Sequence, residues 1–238
     1  MLKESVPGLE KVISGDIKEG YTILITGSPG TLKTAFAFTV MNGILKKAPN
    51  RSGVYVTLEE SWNDHLWNMK SFGIVPRPNL NVFDIAKFRS HLKNLNGYSI
   101  ECKDVIEIIH KSFLTDENAK IDEKKGGEVP LCYTLDSLNA LISLCDFNAS
   151  EKRKFIQELF FTFKENGIIS FIIWQQDDEN CDEYFLADSV LQLGIDRTKP
   201  RNPKRYILIK KMKGVKHKLE EFAIDVTENG LEIISQTI

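Results

Sequence analysis

Short apolar runs alternate along this chain with longer stretches whose hydrophobic residues return every three or four positions. "YTILIT" (Tyr21 to Thr26) precedes "KTAFAFTVMNGILKK", and "VYVTL" (Val54 to Leu58) precedes "WNDHLWNMKSFG". "NVFDI" follows, then helical spacing around Cys102 to Phe113, then "PLCYTLD", "EKRKFIQELFFTFKENG" and "IISFIIW". Unbroken apolar strands separated by helices predict a parallel sheet covered on both faces. After Trp174 the helical spacing stops. "SVLQL", "RYILIKKMK", "EFAIDV" and "LEII" predict short strands joined by turns such as "ENG" at Glu228 to Gly230. The expected fold is α/β, a mostly parallel sheet flanked by helices with a C-terminal antiparallel strand extension. Two polar segments, residues 114–128 and 175–183, are too rich in charged and turn-forming residues to bury much apolar area, and mobile loops are expected there. Trp62, Trp67 and Phe72 are expected to pack a helix against the sheet.

A chain of 238 residues that is 42% hydrophobic is long enough for one core, so a single domain over residues 1–238 is expected. The beginning, "MLKESVPGLE", is charged and turn-prone, and "IISFIIW" is about a third of a bilayer span, which predicts a cytoplasmic protein away from the membrane. Cysteines at 102, 132, 145 and 181 form no CxxC pair and suggest ordinary reduced thiols. The net charge of −2 hides an asymmetry. Arg197 to Lys218 holds ten Lys/Arg and no Asp/Glu, leaving 21 basic against 33 acidic residues elsewhere, a net of −12. That segment is either a solvated hairpin or a face that meets phosphate, nucleic acid or an acidic neighbour.

The chemistry begins at "GSPGTLKT": Gly27, Ser28, Pro29, Gly30, Thr31, Leu32, Lys33 and Thr34. A phosphate-binding loop needs a preceding strand, unobstructed backbone N–H groups, a following helix N-terminus, a lysine for charge and a hydroxyl for Mg²⁺. All are supplied, but Leu32 stands where the usual pattern has glycine. If the backbone there is left-handed, leucine costs about 1 to 2 kcal/mol; if it is right-handed, leucine costs little. Asp136 ends the apolar run "LCYTLD", where a carboxylate can hold a Mg²⁺ shell. In "VTLEES" two adjacent acids, Glu59 and Glu60, leave a strand. Alternating side-chain directions would aim only one of them at a γ-phosphate, to orient or deprotonate a water.

Together "GSPGTLKT", "VYVTLEES", "LDSLNAL", "DSVLQL" and "KMKGVKH" resemble the KaiC-like branch of the RecA-superfamily ATPases, in order and across nearly the whole chain. The resemblance implies a RecA-type core that binds ATP and Mg²⁺ and assembles into a homo-oligomeric ring, commonly a hexamer, with nucleotide between subunits. It makes Lys33 and Thr34 the phosphate and Mg²⁺ pair, Asp136 the metal-side acid, and Glu59 with Glu60 the catalytic glutamates. It also implies that Lys211, Lys213 and His217 reach the nucleotide of a neighbouring subunit, and that Gln175 senses the γ-phosphate. Lys213 departs from the family pattern, which has arginine there. A lysine lacks the planar fork that makes two parallel bonds to phosphate, and a trans-acting arginine can contribute roughly 10³ to 10⁵ in turnover, so slow hydrolysis is expected.

The leading expectation is an ATPase that switches conformation with nucleotide state and signals to a protein partner. A RecA- or RadA-like DNA-binding protein is the alternative from another class. It is not favoured, because "QQDDENCDE" carries five acids and no Lys/Arg where RecA-type proteins contact DNA. A third reading is a nucleotide-binding regulator without catalysis, which Asp136 and the glutamate pair argue against. Ser235 and Thr237 are ordinary terminal hydroxyls and suggest neither autophosphorylation nor a clock role.

Overall fold

The computed structural model describes residues 1–85, 109, 129–145, 147–175, 182–198, 203–228 and 230–236. Among them nine strands form one sheet: β1 (Thr22–Thr26), β2 (Gly53–Thr57), β3 (Leu80–Asp84), β4 (Cys132–Asp136), β5 (Ile169–Trp174), β6 (Ser189–Asp196), β7 (Lys204–Met212), β8 (Phe222–Thr227) and β9 (Gly230–Gln236). Their order is β3-β2-β4-β5-β1-β6-β7-β8-β9. The first six are parallel to one another and the last three antiparallel. This is the expected α/β architecture with one adjustment. "SVLQL" belongs to a longer strand that continues the parallel sheet beside β1, so the antiparallel extension starts one strand later. Its strands run six to nine residues and are not short.

Alternation along the parallel strands splits the core into two clusters. Ile23, Ile25, Tyr55, Phe171 and Ile173 face α1 (Lys33–Lys47), whereas Leu24, Val54, Val56, Tyr133 and Ile172 face the other way. A short α3 (Leu138–Ile142) and then α4 (Ala149–Glu165) cover that second face. Helix α4 starts where Asn148 and Glu151 cap each other's backbone N–H groups, and it buries Phe155, Ile156, Leu159, Phe160 and Phe163 at helical spacing. It ends at Gly167, whose φ of 69° suits glycine.

Helix α2 (Trp62–Ser71) begins at Ser61, whose hydroxyl accepts from the Asp64 N–H. Its buried face is His65 and Met69, one turn apart, and Trp62 and Phe72 pack against the same core. Trp67 does not pack as expected: it sits on the opposite face and is 73% exposed. No described helix is long and apolar enough to cross a membrane. The expected helix at Cys102 to Phe113 lies outside the described residues apart from Ile109, which is helical and buried. The expected loop at 114–128 lies outside them too. Of 175–183, only Gln175, Asp182 and Glu183 are described, and the last two open a 3₁₀ turn, Asp182–Phe185.

Register places the site. Thr26 lies level with Trp174, and Thr57 with both Asp136 and Asp84, so the parallel strands end along one edge. Chain segments leaving that edge converge on a common crevice.

Candidate functional site

The loop from Gly27 to Leu32 leaves β1 at this edge and feeds directly into α1. Gly27, at φ 139°, tolerates no side chain: an added Cβ would sit 2.0 Å from the Leu193 carbonyl oxygen on β6. Gly30 is needed for its φ of 82°, since nothing crowds it. Lys33 is buried and donates from Nζ to the carbonyls of Gly27 (2.7 Å) and Ser28 (2.8 Å), while Thr31 donates to Ser28 (2.8 Å). Leu32 is left-handed, at φ 70° and ψ 26°, so the more costly of the two expectations applies. Its side chain is half-buried against the apolar cluster and gives no cap to α1. The first-turn N–H groups of α1 therefore carry the positive end of the helix without a side-chain acceptor.

Asp136 stands beside this loop. Its Oδ2 accepts from the Tyr55 hydroxyl at 2.7 Å and the carboxylate also bonds the Thr34 side chain. Burial pushes its pKa up to about 6, against the pull of those two hydrogen bonds and Lys33. A carboxylate so poorly solvated binds a cation readily.

Glu59 and Glu60 do not lie on the strand, because β2 ends at Thr57; both occupy the turn leading to α2. Strand alternation therefore does not separate them, and hydrogen bonds do. Glu59 accepts from the Ser137 hydroxyl and, at 3.2 Å, from Gln175 Nε2. Glu60 faces α2, with His65 Nδ1 at 3.0 Å from Oε1 and Asn68 Nδ2 at 3.0 Å from Oε2. Burial first, then the charge of Asp136, raises the Glu60 pKa above the usual carboxylate range.

These groups share one cavity of about 430 Å³, the size of small-molecule sites, lined by Gly30, Lys33, Thr34, Glu59, Glu60, Asp136 and Gln175 on its polar side. Leu32, Met69, Phe72 and Ile173 form apolar wall. Sequence reasoning treated Phe72 as packing alone; it is both packing and wall.

The late basic residues are elsewhere. Lys211 pairs with Val190, level with Leu24, and its Nζ donates to the carbonyls of Tyr184 (2.9 Å), Phe185 (3.2 Å) and Ala187 (2.7 Å). Burial and the charge of Lys213 lower its pKa. Lys213 bonds through Asp188 to the level of Thr22, about 16 Å down β1 from Gly27 at ~3.3 Å per residue. Its Nζ lies 3.7 Å from Asp188 Oδ1. His217 pairs with Ile13 ahead of β1, its Nδ1 3.0 Å from the Val215 carbonyl. The structure thus does not bring these three to the chain's own phosphate loop. It brings another residue of the basic block: Arg205, at the far end of β7, donates from Nε to the Gly30 carbonyl at 3.1 Å. Only its presence in that block marked it in the sequence.

A loop joining the first strand to a helix, faced by an acid-ended strand two places away in a parallel sheet, defines a P-loop ATPase fold of the RecA superfamily. More narrowly, the family model described as "ATPase: KaiC" matches residues 2–238, and the chain belongs to that family. Circadian clock protein KaiC2 of Synechocystis sp. is 25% identical over 243 residues, covering 98% of this chain and 39% of that protein. A UPF0273 protein of Pyrococcus horikoshii is 24% identical over 246 residues, covering 97% of this chain and 92% of that one. The chain therefore spans about two fifths of the clock protein and nearly all of the UPF0273 protein. The crystal structure of a KaiC-like protein from Pyrococcus horikoshii has the same fold, with a TM-score of 0.69 over 97% of each chain at 22% identity.

Proposed function

We propose that this chain is a slow, Mg²⁺-dependent ATPase that works as a nucleotide-dependent switch in a ring oligomer, a hexamer by family resemblance, in the cytoplasm, signalling to a protein partner. The observation that carries the reading is the convergence of Lys33, Thr34, Asp136, Glu59 and Gln175 on one cavity while Lys211, Lys213 and His217 lie toward the opposite edge of the sheet.

In this reading Lys33 exchanges its two loop carbonyls for phosphate oxygens, which are stronger acceptors because they are charged. Backbone N–H groups from Gly30 to Thr34 and the start of α1 hold the remaining phosphate charge. Thr34 and Asp136 fit Mg²⁺, which takes one or two carboxylates and completes its shell with phosphate oxygens and water. When bound, Mg²⁺ neutralises charge on the phosphates. Glu59 orients the attacking water, and Gln175, hydrogen-bonded to it, registers the γ-phosphate. Lys211, Lys213 and His217 serve the nucleotide of the next subunit, through a head-to-tail contact that closes into a ring.

The test is calorimetry of Mg²⁺-ATP binding to the protein and to Lys33→Ala, with hydrolysis rate and particle mass measured on the same samples. Binding lost in the variant, turnover well below one per second and a ring-sized particle support the reading. A monomer that binds no nucleotide, or a ring turning over many ATP per second, rejects it.

A further inference from the structure

Two adjacent carboxylates at one cavity are held by different parts of the fold. Ser137 and Gln175, at the ends of β4 and β5, hold Glu59. Glu60 is held from backbone to tip by its own side of the cavity: its carbonyl accepts from Thr57 Oγ1 at 2.6 Å, and its two carboxylate oxygens meet His65 Nδ1 and Asn68 Nδ2 at 3.0 Å each. His65 and Asn68 are three residues apart on α2 and so share a face. Such a hold is needed, because Asp136, Glu59 and Asp64 all act on Glu60 with like charge. A free glutamate there would turn outward to water.

His65 is built for donation. It is wholly buried, with Trp62 stacked on its ring at 5.1 Å and 16°, and the rings of Phe38 and Tyr55 at 4.9 and 4.8 Å. This apolar enclosure pushes its pKa down to about 4, so the imidazole is neutral and carries one N–H. Nε2 has no partner among the described residues. A proton on Nε2 would orphan a buried donor and set the Nδ1 lone pair against a carboxylate oxygen. A proton on Nδ1 makes the hydrogen bond and orphans only an acceptor, the smaller loss.

We propose that His65, in its Nδ1–H tautomer, and Asn68 are a positioning pair that locks Glu60 into the cavity wall and leaves Glu59 with Gln175 to face the reacting phosphate. The catalytic consequence rests on the ATPase reading above; the hydrogen-bonded pair does not.

Two measurements separate these. Side-chain ¹⁵N NMR of the nucleotide-free protein, with His65 assigned by its loss in His65→Asn, is expected to show the Nδ1–H tautomer and a shift that moves in Glu60→Ala. An Nε2–H tautomer, or indifference to Glu60→Ala, overturns the proposal whether or not the protein hydrolyses ATP. In steady-state kinetics, His65→Leu is expected to lower kcat roughly ten- to a hundredfold, the scale of a misplaced group at a reacting centre, with KM within about twofold. His65→Asn, whose amide donor reaches the same carboxylate, restores most of the rate. Unchanged kcat in His65→Leu, or equal losses of rate and melting temperature in both variants, assigns His65 to packing alone. A wild-type protein with no turnover removes the ATPase reading, and the NMR arm still decides the pair.

Discussion

Leu32 turns a motif irregularity into a sign test. At φ 70° it is the non-glycine residue with positive φ among the described residues, and its side chain rests half-buried on the cluster that includes Met69. Left-handed backbone costs any residue with a Cβ about 1 to 2 kcal/mol relative to glycine. Glycine in turn gives back about 0.4 to 1 kcal/mol through the freedom of its unfolded chain. Leu32→Ala loses the packing and keeps the strain; Leu32→Gly loses slightly more packing and relieves it. Glycine should therefore be the more stable of the two by about 0.5 to 1 kcal/mol, a Tm difference of roughly 1 to 4 °C for a chain this size. Within an ordinary helix the order is the reverse, by about 1 kcal/mol. The strain is present without nucleotide, so it cancels from binding if the loop keeps its shape. ATP affinity of Leu32→Gly should then stay within about threefold of wild type. Thermal melts and calorimetry on both variants are the assay. Alanine as stable as glycine would refute the left-handed backbone, and tenfold tighter ATP binding by Leu32→Gly would refute the preformed loop.

Gly27→Ala should lower stability by about 2 to 4 kcal/mol, read from denaturant midpoints, because its Cβ meets the Leu193 carbonyl at 2.0 Å; a loss under about 1 kcal/mol would mean the loop shifts freely. On the head-to-tail contact proposed above, mixing Lys33→Ala with the double variant Lys211→Ala, Lys213→Ala should restore turnover that neither has alone, since each would supply what the other lacks; additive residual rates would put the lysines outside the reaction. The fold holds His65 neutral, with a pKa near 4 against an ordinary 6.5, so its contribution is fully present above pH 6.5 and is lost as pH falls toward 4. Each unit is worth 1.36 kcal/mol, so wild type should lose about 3 kcal/mol more than His65→Asn between pH 6.5 and 4. Asp136 works in the opposite direction over the lower part of that range, its raised pKa favouring the folded form as it gains a proton, and subtracting the variant cancels it. Parallel stability curves for the two proteins would mean that His65 takes up its proton as readily in the fold as in the unfolded chain.

The parallel half of the fold was legible because its strands are buried on both faces, as in "TILIT" and "ISFIIW", and such runs have no other stable home. The strand β6 was read short because Gly194 breaks the apolar run after Leu193; the chain keeps pairing there as far as Asp196, with the Tyr206 ring lying over Gly194. Lys33, Thr34 and Asp136 were legible as a set because phosphate and metal chemistry demands those types beside a strand end. The hold on Glu60 was not. His65 and Asn68 look like unremarkable helix surface until α2 is rotated so that His65 and Met69 face inward, and the expectation that Trp62, Trp67 and Phe72 all pack against the sheet ignored that residues five apart do not share a helix face.

The basic block shows the same limit more sharply. Arg205 and Lys211 are six residues apart on one strand, and charge counting treats them alike. Antiparallel pairing with β6 sends Arg205 past the end of β1 to the Gly30 carbonyl and sends Lys213 back to the level of Thr22. Arg205 and Lys211 differ by an even number of positions, but the bulge opposite Val190 and Leu191 breaks the two-residue alternation, so even their shared face is not given by the spacing. One strand thus carries positive charge to both edges of the sheet. Arg205 steadies the chain's own phosphate loop at Gly30, and Lys211 and Lys213 stay with the Tyr184, Phe185 and Ala187 carbonyls and Asp188, away from that loop, so on the ring reading proposed above the nucleotide they serve is a second subunit's. On that reading a lone chain holds one half of each of two sites, which is why particle mass and turnover belong in the same experiment.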